Sequence, residues 1–164
     1  MDHEMTILER PLSHGGGQQT PKRIVVHCMC EILLQDGKLI HAWELLDSLK
    51  LSAHILISPD GIRTRCRADT EGAWHAKGFN TDSLGVEVLV PDARNLKQMQ
   101  DRTRTSWVSE AQLNSLVKQI LIWKNQYPIE RMDRHSDLDP ARKWFDPGEG
   151  FPWEELLKKT WTKS

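Results

Sequence analysis

Arg23-Ile24-Val25-Val26-His27-Cys28-Met29-Cys30 is a short apolar run rich in β-branched residues, the pattern of a central strand buried on both faces. Alternation puts Ile24, Val26, Cys28 and Cys30 on one face and Val25, His27 and Met29 on the other. His27 is therefore an ionisable ring near the C-terminal end of a buried strand. A lone buried His is most often a hydrogen-bonded core residue, but strand C-termini are where open α/β sheets place their sites. A second run, Leu84-Gly85-Val86-Glu87-Val88-Leu89-Val90, reads the same way, with Gly85, Glu87 and Leu89 on one face. An unpaired carboxylate is costly to bury, and the usual resolutions are a raised pKa, a cationic partner or a metal site. Glu87 is thus a candidate functional residue, and Gly85 on the same face leaves room for a close neighbour.

Around these two strands the pattern is that of an α/β domain. Ala53 to Ile57 and Ile62 to Arg67 flank the turn signature Pro59-Asp60-Gly61 and predict a hairpin. His54 opens the first of these strands, either as a structural or site-adjacent residue or as a member of a site. Leu39, Ala42, Trp43, Leu46 and Leu49 follow helical spacing over Lys38 to Leu49. A longer helix is predicted over 110–126, where Ser109 and Gln112 form a capping-box pattern and Leu113, Leu116, Val117, Ile120, Leu121 and Trp123 make an apolar stripe. Pro91 to Thr105 reads as a charged loop, and Pro152 starts a short terminal helix. Gly72 to Gly78 is a glycine-bounded loop in which Trp74 and His75 stand side by side; such a pair can contact a polar ligand with an apolar ring face, or can simply pack. Residues 1–20, polar and containing Gly15-Gly16-Gly17, read as a flexible N-terminal arm, and 21–164 as one catalytic or binding domain.

Bulk properties narrow the function. A chain of 164 residues buries roughly two thirds of its unfolded surface and needs no disulfides. A formal net charge of -1 argues against nucleic acid and membrane partners, which usually demand a basic excess. Three cysteines are an odd number, and Cys28 and Cys30 are too close along a strand to pair, which suits a reduced, cytoplasmic chain. The first residues lack the basic and apolar regions of a secretory signal, and no apolar run approaches the ~20 residues of a membrane span.

The remaining chemistry is concentrated between Arg134 and Gly148, a stretch of one His, three Asp, two Arg and one Lys broken by two prolines. Hydrolytic zinc centres need three protein ligands and an open position. His27 with His135 and Asp146 from this loop would supply two neutral imidazoles and a carboxylate. Glu87 would serve as the proton-transferring carboxylate, and Lys143 as the cation for a developing oxyanion. A sulfur-rich alternative from His27, Cys28 and Cys30 fails on alternation, which aims His27 away from both thiols.

Five segments, in order, resemble the zinc-dependent N-acetylmuramoyl-L-alanine amidases of type 2, a family that takes in phage lysozyme-type amidases, cell-wall recycling amidases and peptidoglycan recognition proteins. They are Ile24 to His27, Ser52 to Gly61, Ala73 to Ala76, Ser83 to Glu87, and His135-Ser136-Asp137 with Arg142-Lys143 and Asp146-Pro147-Gly148. The resemblance implies a central mixed β-sheet flanked by α-helices and one Zn2+ ion held by His27, His135 and Asp146, the last being Cys in some relatives. It further implies Glu87 and Lys143 as catalytic residues, His75, beside Trp74, as a substrate-binding residue lining the cleft, and His54 as a structural neighbour. The expected substrate is the amide bond between N-acetylmuramic acid and L-alanine, in peptidoglycan or soluble muropeptides. A monomeric phage-type endolysin made in the host cytoplasm is the expected setting, with a recycling enzyme and a non-catalytic peptidoglycan-binding module as alternatives. One spacing departs from the family: two residues, Trp144 and Phe145, separate Lys143 from Asp146 where relatives usually have one, leaving Asp137 and Asp139 as alternative carboxylates.

Overall fold

The two apolar runs lie side by side at the centre of a six-stranded mixed sheet. The computed structural model describes residues 7–161. Its elements are β1 (Ile7–Glu9), β2 (Arg23–Cys30), β3 (Ile32–Gln35), β4 (Lys38–His41), α1 (Ala42–Ser48), β5 (Ile55–Ile57), β6 (Arg63–Arg65), β7 (Ser83–Val90), α2 (Leu96–Arg102), α3 (Glu110–Gln126), β8 (Arg131–Arg134), α4 (His135–Leu138), α5 (Pro140–Lys143) and α6 (Trp153–Thr160). The main sheet runs β1-β6-β5-β7-β2-β8, and β3 with β4 makes a separate hairpin. All main-sheet pairs are parallel except β5 with β6, the antiparallel hairpin that the turn at 59–61 predicts.

The alternation of β2 and β7 sorts the molecule into two layers. Ile24, Val26, Cys28 and Cys30 join Leu84, Val86, Val88 and Val90 in a core closed by Leu113, Leu116, Ile120 and Trp123 of α3 and Leu156 of α6. This is the larger layer, and burial of its aliphatic side chains, each worth about 1.5–3 kcal/mol, is what holds α3 to the sheet. The opposite face packs Leu56 and Leu89 with Leu12, Ala42 and Leu46 in a smaller cluster. That smaller cover leaves part of the second face to polar side chains, and there His27 and Glu87 stand in register on neighbouring strands.

Several local expectations differ. Lys38 to His41 is a strand, so the helix starts only at Ala42; His41 caps it, its Nδ1 accepting from the Trp43 N–H at 3.2 Å. Asp36 and Gly37 both adopt positive φ, 50° and 77°, the backbone that a two-residue hairpin turn requires, and this pulls the first part of the helical pattern into β4. The segment read as a flexible arm is tied down from Ile7 onward. β1 pairs with β6, Leu12 is buried, and the Gln19 side chain both donates to Ser83 O (2.9 Å) and accepts from its N–H (3.2 Å). Residues 1–6 of that arm lie outside the described residues. The charged loop after β7 contains α2, capped by Asn95. Ser109 caps α3 as predicted, but Gln112 makes only half of the box: its buried amide donates to Ile57 O (3.0 Å) and Leu89 O (2.8 Å), pinning α3 to the ends of β5 and β7. Among the described residues no helix is long and apolar enough to cross a membrane.

Candidate metal centre and acid–base site

β8 explains how the late loop reaches the early strand. It pairs with β2 so that Arg134 lies beside Val26, and the next residue, His135, begins α4 next to His27. The two imidazoles face each other through Nδ1, 3.1 Å apart. Asp146 completes the group: its Oδ2 lies 3.1 Å from His135 Nδ1 and 3.6 Å from His27 Nδ1, while Oδ1 accepts from the Cys28 backbone N–H at 2.6 Å. Ligand atoms of His27, His135 and Asp146 all lie within 4.8 Å of one another, and all three residues are buried.

The unusual spacing after Lys143 is absorbed by the chain itself. Trp144 continues the α5 backbone and points out, 51% exposed, while Phe145 turns inward to the large core. Asp146 N–H then donates back to Lys143 O (3.0 Å), and Asp146 O accepts from Ser136 N–H (2.9 Å), so the carboxylate arrives against β2. The alternative carboxylates are engaged elsewhere: Asp137 takes the Arg134 guanidinium at 2.9 and 3.1 Å, and Asp139 takes that of Arg142 at 2.8 Å.

Glu87 enters from the adjoining strand, with Oε1 3.7 Å from His27 Nδ1. Its Oε2 is buried and has no hydrogen-bond partner among the described residues. Burial pushes Glu87 well above the usual carboxylate range, the charge of Asp146 adds to the rise, and Lys143 opposes it. For Asp146, burial would also favour the acid, but hydrogen bonds from His135 and His27 outweigh it and hold the carboxyl down at about 2. Two carboxylates in one pocket are thus driven apart, one fixed as an anion and one able to take a proton. Burial lowers His27 below the usual imidazole range, against the pull of Asp146, which favours the neutral ring a cation needs. Lys143 is half-buried, its Nζ 5.9 Å from the Phe145 ring centre, and its charge is felt by both Glu87 and His27.

The Trp74-His75 pair is split. His75 turns in, its Nδ1 2.8 Å from His27 Nε2, whereas Trp74 is 43% exposed and lines a separate hollow with 16–19 and 80–82. His54 is structural: its Nδ1 accepts from Gly85 N–H (3.0 Å) and its Nε2 donates to Glu71 O (2.7 Å). Burial pulls His54 down to about 4, so it binds its proton more weakly folded than unfolded. The stability it contributes is present above the unfolded value of 6.5 and is lost as pH falls through 4, about 3 kcal/mol in all. Urea midpoints measured between pH 7 and 4 should fall accordingly in the wild type, and the difference should shrink in His54→Gln. An equal fall in both proteins would remove His54 as the cause.

Among the contacts not foreseen from the sequence is the Cys28 backbone N–H on Asp146. Nothing in the residue pattern could reveal it, because a main-chain donor has no sequence signature.

Fold and site together define a class: a mixed α/β domain with a buried His-His-Asp cluster that could hold a metal ion and a buried carboxylate beside it. The particular family follows from comparison. The N-acetylmuramoyl-L-alanine amidase family matches residues 17–149, and the chain belongs to it. The 1,6-anhydro-N-acetylmuramyl-L-alanine amidase AmpD of Haemophilus influenzae is 28% identical over 120 residues, covering 66% of this chain; the chain spans 58% of that relative's length. Among solved structures, the endolysin amidase LysCS of Clostridium intestinale superposes with a TM-score of 0.74 at 23% identity, covering 99% of this chain and 100% of its own. The amidase LysC of the same organism gives 0.72 at 21%, covering 96% and 99%.

Proposed function

We propose that this chain hydrolyses the amide bond between N-acetylmuramic acid and L-alanine in peptidoglycan, with one zinc ion held by His27, His135 and Asp146. The observation that carries the reading is the Glu87 carboxylate, buried beside a buried His-His-Asp cluster with its Oε2 lacking a hydrogen-bond partner among the described residues. Two neutral imidazoles and one anion are a fitting donor set for zinc and leave the ion a net positive charge. When bound, zinc supplies Lewis acidity that acidifies a water and polarises a carbonyl.

The chain's own residues do the rest. Glu87 accepts the proton of the attacking water at its carboxylate and returns a proton to the departing alanine nitrogen as the carbon–nitrogen bond breaks. Its raised proton affinity suits both halves of that exchange. The positive charge of Lys143, which acts on Glu87 and His27, would be available to the oxyanion that develops on the carbonyl oxygen. The exposed Trp74 indole offers a flat apolar face to the substrate outside the centre. An endolysin role on intact wall is supported by the full-length match to the LysCS amidase, although AmpD relatives make soluble muropeptides the comparison substrate.

Purified protein incubated with sacculi should release stem peptides with new alanine amino termini, lose that activity to a chelator and regain it with zinc. Activity that persists after complete removal of zinc would sink the metal assignment. A higher kcat/KM on soluble anhydro-muropeptides than on sacculi would overturn the endolysin role while leaving the reaction standing.

A further inference from the structure

His75 has one hydrogen-bond partner for its ring among the described residues, and that partner is His27. The rings meet edge to face, 88° apart with centres separated by 5.0 Å, so His75 Nδ1 lies 2.8 Å from His27 Nε2. The other nitrogen of His27, Nδ1, is the one that faces His135 and Asp146. A nitrogen that binds a cation must be unprotonated, and a neutral imidazole then carries its proton on the opposite nitrogen. The proton of His27 must therefore sit on Nε2 and point at His75, whose Nδ1 must accept it.

Three features aim the His75 ring there. The Asn80 side-chain oxygen accepts from the backbone N–H groups of both His75 (3.0 Å) and Ala76 (2.7 Å), fixing the loop. Gly85 supplies the space: a Cβ on it would come within 2.5 Å of the His75 ring. His54, its ring centre 6.1 Å from that of His75, in turn holds the Gly85 N–H. The far nitrogen of His75, Nε2, is buried without a hydrogen-bond partner among the described residues, so no contact there competes for the tautomer.

We infer that His75 is a positioning residue for the metal centre, accepting a hydrogen bond from His27 Nε2–H and so holding His27 in the tautomer whose Nδ1 is free for the cation. This replaces the substrate contact expected for His75 from the sequence, and it rests on the metal-centre reading above. Ligating imidazoles almost always donate their second N–H to a fixed acceptor, and removing that acceptor typically costs 10–100-fold in metal affinity.

The test is zinc affinity by competition with a chromophoric chelator, without substrate, on wild type, His75→Phe, His75→Asn and Gly85→Ala. His75→Phe fills the space without an acceptor and should bind zinc about 10–100-fold more weakly. His75→Asn, which retains an acceptor oxygen, should recover part of the loss. Gly85→Ala should weaken zinc binding by displacing the ring. Ring-nitrogen NMR of the zinc-loaded wild type should show protons on Nε2 of both His27 and His75, a readout that needs no variant to fold. Zinc affinity in His75→Phe within twofold of wild type, or a proton on His75 Nδ1, overturns the inference while the metal centre stands. A wild-type chain that takes up no zinc overturns both.

Discussion

Glu87→Gln is expected to take up zinc as the wild type does and to hydrolyse the muramoyl-alanine amide about 10²- to 10⁴-fold more slowly, the range a positioned proton-transfer group contributes. The substitution keeps the shape of the side chain and removes its ability to exchange a proton, together with its charge. Its effect on stability should run the other way. The folded-state pKa of Glu87 is raised, so the stability it contributes is present at acid pH, below the unfolded value, and is lost as pH rises through the folded value. In the metal-free chain the buried Glu87 side chain has an Oε2 without a partner among the described residues, and a neutral amide never takes on the charge that burial disfavours. Thermal unfolding of the metal-free proteins at pH 7 should therefore place Glu87→Gln at or above wild type while activity collapses. Activity within tenfold of wild type would remove Glu87 from the reaction, and a marked drop in melting temperature would recast it as structural.

Asp146→Asn should abolish the centre rather than the proton transfer. The amide can still accept the Cys28 N–H, so the 2.6 Å tether to β2 is kept, but the anion that balances the cation is gone. Loss of a direct ligand should cost more zinc affinity than the roughly 10–100-fold typical of an outer partner, and activity should fall to that of chelated wild type. Acid titration offers a second readout. The Asp146 carboxyl is held at about 2, below its unfolded 3.8, so its contribution to stability is present above 3.8 and disappears as pH falls through 2. That acid step should be present in the metal-free wild type and missing in Asp146→Asn. Zinc retained through dialysis by the variant would show that the third ligand lies elsewhere.

The two substitutions separate the parts of the site as the fold does. Glu87 comes from a strand and Asp146 from a loop, and the two carboxyls are pushed in opposite directions by their surroundings. Burial dominates at Glu87, whereas hydrogen bonds from two imidazoles prevail over it at Asp146.

The two central strands, the long helix and the strand faces that carry His27 and Glu87 were legible in the chain alone, because period-two and period-3.6 patterns are local properties that tertiary packing had no cause to override here. Elements whose signal is short or polar were not. β8 carries Arg131-Met132-Asp133-Arg134, with no apolar run to mark it, and becomes a strand because β2 offers an open edge. The helix predicted from Lys38 begins late because the Asp36-Gly37 turn, itself a readable hairpin signal, prevailed over helical spacing.

Sequence by itself determined which groups were available: an imidazole and a carboxylate on two buried strands, and a late loop rich in His and Asp. Only the tertiary structure decided which loop carboxylate reaches them. Three aspartates compete between 137 and 146, and arginines nearby in the chain claim two, whereas the third is drawn against the Cys28 backbone N–H by a turn that buries Phe145. It also decided that His75, not Trp74, faces inward, because the space over Gly85 opens only when the loop lies across β7. Ligand selection depends on distances between residues more than a hundred positions apart, and those distances come from strand register and packing, to which residue spacing along the chain is blind.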